Sequence, residues 1–391
     1  MVARAPVAPP VLAWARETAG LTQDEAAAVL SVSSTVIEKW ENGDAHPTFG
    51  QLRTIADKYR RPLATFLLRE PPEEVPATPQ DFRHLSGGVP PARSAALVAH
   101  IRAAQTRREQ ALDLYEELGE QPPSFTLAAT LSESVETVAS RMRDYLSVTL
   151  DDQKKWRTPE VALTAWKEAF EAKGVLVFQF SKLDVDQMRG VSLSLSPLPV
   201  VITNAKDSAS GRIFTLFHEL AHLALRTSGL CDLDHGNARP PEEQRVEVFC
   251  NAVAAAALVP KRALLGLPLV QSRGEGTIEW TDDELDILRR EFGVSKFVLL
   301  RRLVSVNRAT QHYYGRRHEV WGDEFAAAKQ RETGKPVIVP PFRSSLAANG
   351  RQFARLVLRA YYDDRITLND VSEYLRLKVR HVPAIERELF R

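Results

Sequence analysis

The sequence predicts a multidomain, mainly α-helical protein with an N-terminal all-α helix-turn-helix unit, an α+β domain holding a small β-sheet, and a helical C-terminal extension. Three observations predict this fold class. The chain has 391 residues, more than the roughly 100–200 residues of an ordinary domain. Residues up to about 70 contain only short helical patterns, whereas strand-like runs such as VLVFQF follow Gly174. A stretch rich in Pro, Gly and Glu at 69–92 lies between them, as is typical of a linker.

Composition and charge exclude several classes of protein. The chain is 44% hydrophobic and 26% charged, which is typical of a globular protein, and no run approaches the roughly 20 apolar residues of a membrane span. Its 51 basic and 50 acidic residues give a net charge of +1, so any binding to nucleic acid must be local. Two cysteines cannot form a disulfide scaffold, and the N-terminus lacks the apolar segment of a secretory signal. We therefore expect a cytoplasmic protein with no membrane partner.

The first predicted domain, residues 1–70, consists of five short helical segments. Thr22 and Glu25 have the spacing of a capping box at the start of the second segment, and Gly43 ends the third. The second and third segments are separated by a tight turn, which is the organisation of a helix-turn-helix.

The segment at about 10–69 resembles the XRE, or Cro/repressor-like, family through a T-Q-x-E-x-A-x-x-L-x-V-S helix pair followed by IEKWENGDAHPTFGQLRTIA. In this fold the third helix enters the major groove of DNA and the start of the second helix meets phosphate. Residues 1–70 contain eight basic and eight acidic residues, so their net charge is zero. A segment with no net positive charge is poorly suited to neutralising DNA phosphates. DNA contact and protein docking or homodimerisation therefore remain alternatives. The residues in the DNA-contacting positions are Gln23, Ser33, Ser34, Thr35 and Lys39.

Three further segments are predicted along the chain. Residues 71–155 form the Pro-rich linker and a helical segment, whose basic run RAAQTRREQ is typical of a solvated helix face. Residues 156–310 form the α+β domain, because a helix ending at Gly174 is followed by the strand-like runs VLVFQF, GVSLSLS and LPVVITN. Residues 311–391 form the helical C-terminal extension.

The run FTLFHELAHLAL contains candidate metal ligands. His218 and His222 are four residues apart and share one face of a helix, so their imidazoles can converge on a cation. Glu219 can reach a water beside that cation without being a ligand, which is the H-E-x-x-H arrangement of zinc peptidases with Glu as general base. Burying these three groups in an apolar helix without a partner would be costly, and a metal supplies the partner.

A catalytic zinc site usually has three protein ligands, so a third is needed. The helix PPEEQRVEVFCNAVAAAALVP carries Glu243, Glu247 and Asn251 on one face. We predict Glu247 as the ligand because it lies within the apolar part of the helix, with Glu243 and then Glu242 as alternatives. Asn251 either orients a ligand or packs between helices.

Together, GRIFTLFHELAHLAL and VEVFCNAVAAAALVP resemble the ImmA/IrrE family of metallo-endopeptidases, whose members often carry a neighbouring XRE domain. The resemblance covers about 156–310, and the tail is similar to the helical extensions of long members. It implies a zincin-like domain with Zn²⁺ as cofactor. It also implies a protein substrate, because known members cleave a cognate repressor and so switch on a mobile-element or stress-response programme. We therefore expect a repressor or antitoxin encoded nearby as partner.

Other features leave alternatives open. A DNA-binding regulator or toxin–antitoxin component could use the peptidase fold as a sensor or scaffold without proteolysis. A thiolate ligand from Cys231 or Cys250 is conceivable, although two small, partly buried residues are the favoured interpretation. The oxyanion-stabilising residue is not determined, and the candidates are His235, His312, Tyr313 and Tyr314.

Overall fold

The structure is a computed structural model that describes residues 4–59, 61–72, 95–181, 185, 188–227, 230–231, 241–273, 279–332 and 339–390. The chain divides into two compact units, Met1–Thr106 and Arg107–Arg391. No helix in the described part of the chain is both long and apolar enough to cross a membrane. The domain boundaries given above remain predictions.

The first unit is the predicted bundle of short helices. Its elements are α1 (Pro9–Thr18), α2 (Gln23–Leu30), α3 (Ser34–Asn42), α4 (Phe49–Lys58) and a 3₁₀ helix (Leu63–Leu67). The capping box at α2 is present, with Glu25 N donating to Thr22 Oγ1 at 3.2 Å and Thr22 N donating to Glu25 Oε2 at 2.8 Å. Ser31, with φ of 55°, makes the tight turn into α3, and Trp40 on α3 is buried in the unit's core. The helix-turn-helix prediction is confirmed.

The elements that follow the 3₁₀ helix are further helices and the strands of a small sheet. In chain order they are α5 (Ala95–Glu117), α6 (Val135–Leu146), α7 (Leu150–Lys155), α8 (Pro159–Glu171), β1 (Leu176–Phe180), β2 (Gly190–Leu193), β3 (Val200–Asn204), α9 (Ala209–Ala224), β4 (Leu230–Cys231), α10 (Pro241–Leu258), α11 (Lys261–Leu265), α12 (Pro268–Ser272), α13 (Asp282–Phe292), α14 (Lys296–Ser305), α15 (Gln311–Glu332), α16 (Pro341–Asn349), α17 (Arg351–Tyr362), α18 (Leu368–Tyr374), a 3₁₀ turn (Val379–His381) and α19 (Val382–Leu389).

The sheet has the strand order β1-β3-β2-β4. β1 and β3 are parallel, with Leu176 opposite Val200, whereas β2 is antiparallel to both β3 and β4. The three predicted strands are confirmed, and the short β4 was not predicted. Its two residues are too few to give a periodic pattern.

Helix α9 packs against the sheet on one side. It also packs against α8, and aromatic residues make that contact. The ring of Phe217 lies 4.7 Å from Trp166 and 5.6 Å from Phe170, centroid to centroid, and both contacts are edge-to-face. All three side chains are buried in the core that also contains much of α10. Because such pairs hold a fixed geometry, they position the helix that carries the HELAH motif.

The C-terminal helices cover the other face of the sheet. Side chains alternate along β1, so that Val177 lies in the α9 core while Phe178 contacts Phe353 of α17 with ring centroids 6.3 Å apart. The buried Glu171 carboxylate at the end of α8 accepts hydrogen bonds from the first two backbone amides of α17, at 3.2 and 3.0 Å. It thereby satisfies donors that a helix start leaves unpaired. The fold class predicted from the sequence is confirmed, and the helices at 341–390 share the sheet with the predicted peptidase domain.

Candidate metal centre

Helix α9 begins with a polar cap and then becomes entirely buried. Ser208 is the N-cap, and its side chain accepts from Gly211 N at 3.0 Å. His218 and Glu219 are 0% exposed and His222 is 3% exposed. The apolar residues of the helix anchor it in the core, and three ionisable groups are buried with them. Such groups need partners to be tolerated.

The two histidines meet Glu247 from the neighbouring helix α10. His218 Nε2 and His222 Nε2 are 3.1 Å apart. Glu247 Oε2 lies 3.4 Å from His218 Nε2, and Glu247 Oε1 lies 3.2 Å from His222 Nε2. Ligand atoms about 2.0–2.1 Å from a tetrahedral zinc would lie about 3.3 Å from one another. These separations are compatible with a triad of ligands around one metal ion.

The position of α10 determines which glutamate takes part. Within the described residues, the group of His, Cys, Asp and Glu side chains that could hold a metal consists of His218, His222 and Glu247. Glu247 has a side chain only 16% exposed. Glu242 is exposed and Glu243 is half-buried, and neither belongs to the group. The structure thus brings together the three residues predicted as ligands.

The protonation of this group follows from its burial and mutual contacts. Burial lowers the pKa of His218. Burial alone would raise the pKa of Glu247, but hydrogen bonds from the two histidines lower it below its usual value. Burial opposes the charged form of His222, but Cys250, Glu247 and Glu219 together raise its pKa well above the usual value. Metal ligands must be deprotonated, so metal binding by this group requires the neutral form of His222.

Glu219 faces strand β2 rather than joining the triad. A Cβ built on Gly190 would lie 3.3 Å from Glu219 Oε1, which places this carboxylate beside the start of β2. Neither carboxylate oxygen has a hydrogen bond of good geometry among the described residues. Burial raises the pKa of Glu219 to about 7, although His222 and the Ser192 hydroxyl of β2 favour the charged form. A buried carboxylate of this kind is suited to proton transfer near neutral pH.

Comparison with known families agrees with this geometry. Residues 170–304 match the peptidase family described as IrrE N-terminal-like domain, and residues 12–66 match the family described as Helix-turn-helix. The chain joins a helix-turn-helix segment to an IrrE N-terminal-like segment. The predicted fusion is confirmed, and α9 and α10 both lie within the IrrE N-terminal-like match. No curated protein and no solved structure shows a significant match to the chain.

The four residues considered as oxyanion-stabilising candidates have different surroundings, and three of them lie on α15, beyond the IrrE-like match. Tyr313 donates its hydroxyl hydrogen to the Trp280 carbonyl, and His312 is exposed. Tyr314 Oη accepts from Arg301 Nη2 at 3.1 Å. His235 lies outside the described residues.

Three contacts of the IrrE-like segment were not anticipated from the sequence. The charge of Arg301 on α14 contributes to lowering the pKa of His218. Cys250 is fully buried against His222, and burial raises the pKa of its thiol. Thr227 contacts the ring of His222. The side chain of Cys231 lies outside the described residues, and among those described Asn251 Oδ1 has no hydrogen-bond partner. None of these contacts leaves a periodic pattern in the sequence.

The candidate DNA-contacting residues lie on the helix-turn-helix segment. Gln23 Nε2 donates to Glu41 Oε2 at 2.9 Å, and Glu41 also pairs with Arg16 at 2.7 Å. The side-chain amide of Gln23 is therefore bound within the first unit. The other four residues are exposed at the start and outer face of α3: Ser33, Ser34, Thr35 and Lys39.

Proposed function

We propose that this protein is a zinc-dependent endopeptidase that cleaves a cognate protein, a repressor or antitoxin, to switch on a stress-response or mobile-element programme. The observation that carries the proposal is the convergence of His218, His222 and Glu247 at separations of 3.1–3.4 Å beside a buried carboxylate. Two imidazoles and one carboxylate are the ligand set of several zinc peptidases. The two family matches support the same reading.

The residues of the site have separate roles in this proposal. Zinc would supply Lewis-acid polarisation of the scissile carbonyl and a nucleophilic water near neutral pH. His218, His222 and Glu247 would hold the metal through two imidazole nitrogens and one carboxylate. Glu219 takes a proton from the attacking water and passes it to the leaving amine, because a pKa of about 7 suits both steps.

The helix-turn-helix segment supplies a second binding surface. Its exposed α3 residues Ser33, Ser34, Thr35 and Lys39 support DNA contact, in which side chains at the start of the third helix face base edges. The proposal places the enzyme in the cytoplasm, together with the DNA that this segment would contact. The same surface could serve a homodimer, and loss of binding to short duplex DNA with rising salt would distinguish DNA contact from self-association.

The decisive experiment replaces the general base. Glu219→Gln keeps the size of the side chain but cannot accept the proton, so we expect normal zinc content, no proteolysis and loss of regulatory activity in cells. Glu243→Gln on α10 is the matched control, since Glu243 lies outside the metal-binding group. Full regulatory activity of Glu219→Gln would contradict the proposal. It would instead support the alternative that the helix-turn-helix match raises, a DNA-binding regulator that uses the peptidase fold as a scaffold.

A further inference from the structure

Histidine binds a metal through one ring nitrogen, and the other nitrogen then carries the proton. At His222 the nitrogen facing His218 and Glu247 is Nε2. Nδ1 must therefore carry the hydrogen whenever the triad holds a metal. Without a fixed partner at Nδ1, the ring could rotate or adopt the other tautomer, and either change would remove the lone pair from the site.

The partner of Nδ1 is Thr227, which follows the end of α9. His222 Nδ1 lies 3.2 Å from Thr227 Oγ1. The Thr227 hydroxyl donates to the His222 carbonyl oxygen at 3.1 Å, and the Thr227 backbone amide donates to the same carbonyl at 3.0 Å. Arg226, with φ of 59°, makes the left-handed turn that returns Thr227 toward the helix end.

These contacts allow one consistent direction for the hydrogen bond when Nε2 faces a metal. A threonine hydroxyl has one hydrogen and two lone pairs. With the hydrogen of His222 on Nδ1, Nδ1 donates to Thr227 Oγ1, and the Thr227 hydroxyl hydrogen goes to the His222 carbonyl oxygen. The arrangement is specific to one histidine, because among the described residues Nδ1 of His218 has no hydrogen-bond partner.

We propose that Thr227 is a positioning residue for the metal centre, which holds His222 with its hydrogen on Nδ1 and its lone pair on Nε2. This inference rests on the proposed zinc site. Residues that fix a ligand histidine in this way typically change metal affinity by about 10- to 100-fold when removed. Thr227 is thus needed for zinc affinity although it does not touch the metal.

The test measures zinc affinity of the full-length protein by competition with a chromophoric chelator. We expect Thr227→Val to bind zinc about 10- to 100-fold more weakly and Thr227→Ser, which keeps the hydroxyl, to match the wild type. Thr164→Val is the matched control, since Thr164 Oγ1 also donates to a helix carbonyl, that of Glu160 at 2.9 Å, away from the triad. In ¹⁵N NMR spectra of the zinc-loaded protein, the Nδ1–H signal of His222 should be present in the wild type and Thr227→Ser and lost in Thr227→Val.

The outcomes separate the two proposals. A wild-type protein that binds no zinc would overturn the proposed function and, with it, this inference. Tight zinc binding by both the wild type and Thr227→Val would overturn the inference alone. Weak binding by Thr227→Ser would assign the effect to methyl packing and also overturn it. The same conclusion follows if Thr227→Val lowers the stability of the metal-free protein more than Thr164→Val does, because a general loosening of α9 would then explain the loss of zinc.

Discussion

Gly190, the first residue of β2, lies in close contact with the helix that carries Glu219. A Cβ built on Gly190 would overlap Thr215 Cγ2 and lie 3.1 Å from the Ile202 carbonyl oxygen and 3.3 Å from Glu219 Oε1. Thr215 is buried at 1% exposure and lies one turn before Glu219 on α9. Gly190→Ala should therefore push α9 away from β2 at the turn that bears the proposed general base.

The magnitude follows from the rigidity of the contact. A β-branched threonine has restricted χ1 freedom, so Thr215 cannot turn its methyl group aside at little cost. Inserting a methyl group into a well-packed core costs about 1–3 kcal/mol, which corresponds to a fall in Tm of roughly 2–10 °C. Activity should fall further, because a displacement of about 1 Å in a catalytic group can reduce the rate about 100-fold.

The assay compares urea unfolding and peptide hydrolysis in four proteins. Thr215→Ser removes Cγ2, so the double variant Gly190→Ala/Thr215→Ser should recover most of the stability lost in Gly190→Ala. Gly315→Ala on α15 is the control, since no atom lies within 4 Å of a Cβ built there, and alanine in a helix is expected to be neutral or stabilising. If Gly190→Ala is as stable as the wild type, or if the double variant shows no recovery, the steric reasoning is wrong.

Three further predictions concern the ligand set and the buried charges. Glu247→Ala should abolish tight zinc binding, whereas Glu243→Ala should retain it, as measured by metal analysis of the purified variants. If only Glu243→Ala loses zinc, the third ligand is Glu243. Burial raises the pKa of Glu171 from 4.5 to about 7, so between those pH values the unfolded chain loses a proton that the folded protein keeps. Glu171 should therefore contribute a fall of up to about 3 kcal/mol in the free energy of unfolding as pH rises through this window, and in urea titrations the fall of Glu171→Gln should be smaller than that of the wild type by this amount. Arg302→Met leaves the Val259 carbonyl without its donor at 2.8 Å and should cost about 1–3 kcal/mol in urea unfolding; an unchanged midpoint would contradict this.

Local signals in the sequence predicted the elements that carry the site. The spacing of His218 and His222 needs only helical periodicity to place both rings on one face. The prediction of Glu247 used a different argument, that a carboxylate in an apolar part of a helix requires a partner. The structure brings these residues together, and zinc analysis of the variants remains the test of their roles.

The contacts that the sequence did not predict lie between elements distant in the chain. The extension at 311–391 was predicted as helical, but α15 and α16 were not predicted as separate helices. Phe353 packs on Phe178, and these residues are far apart in the chain. The local periodicity of hydrophobic residues cannot predict such a contact. Gly190, beside Glu219, could have been noticed only as a glycine at a strand start, which is a weak signal of close approach. Arg301 is one arginine in a basic run, and its nearness to His218 depends on how α14 packs.

By itself, the sequence determined the fold class, the helix-turn-helix, the helix that bears two histidines and a glutamate, and the chemistry that these residue types can perform. These properties depend on composition and on spacings of three or four residues, both of which can be read from the sequence alone. Tertiary structure decided which carboxylate lies beside the two histidines, that Glu219 lies against β2, and that Thr227 contacts the ring of His222. Hydrogen bonds and ligand triangles require atoms within about 3 Å, and only the packing of α9 against α10, the sheet and its own C-terminal turn brings those atoms together.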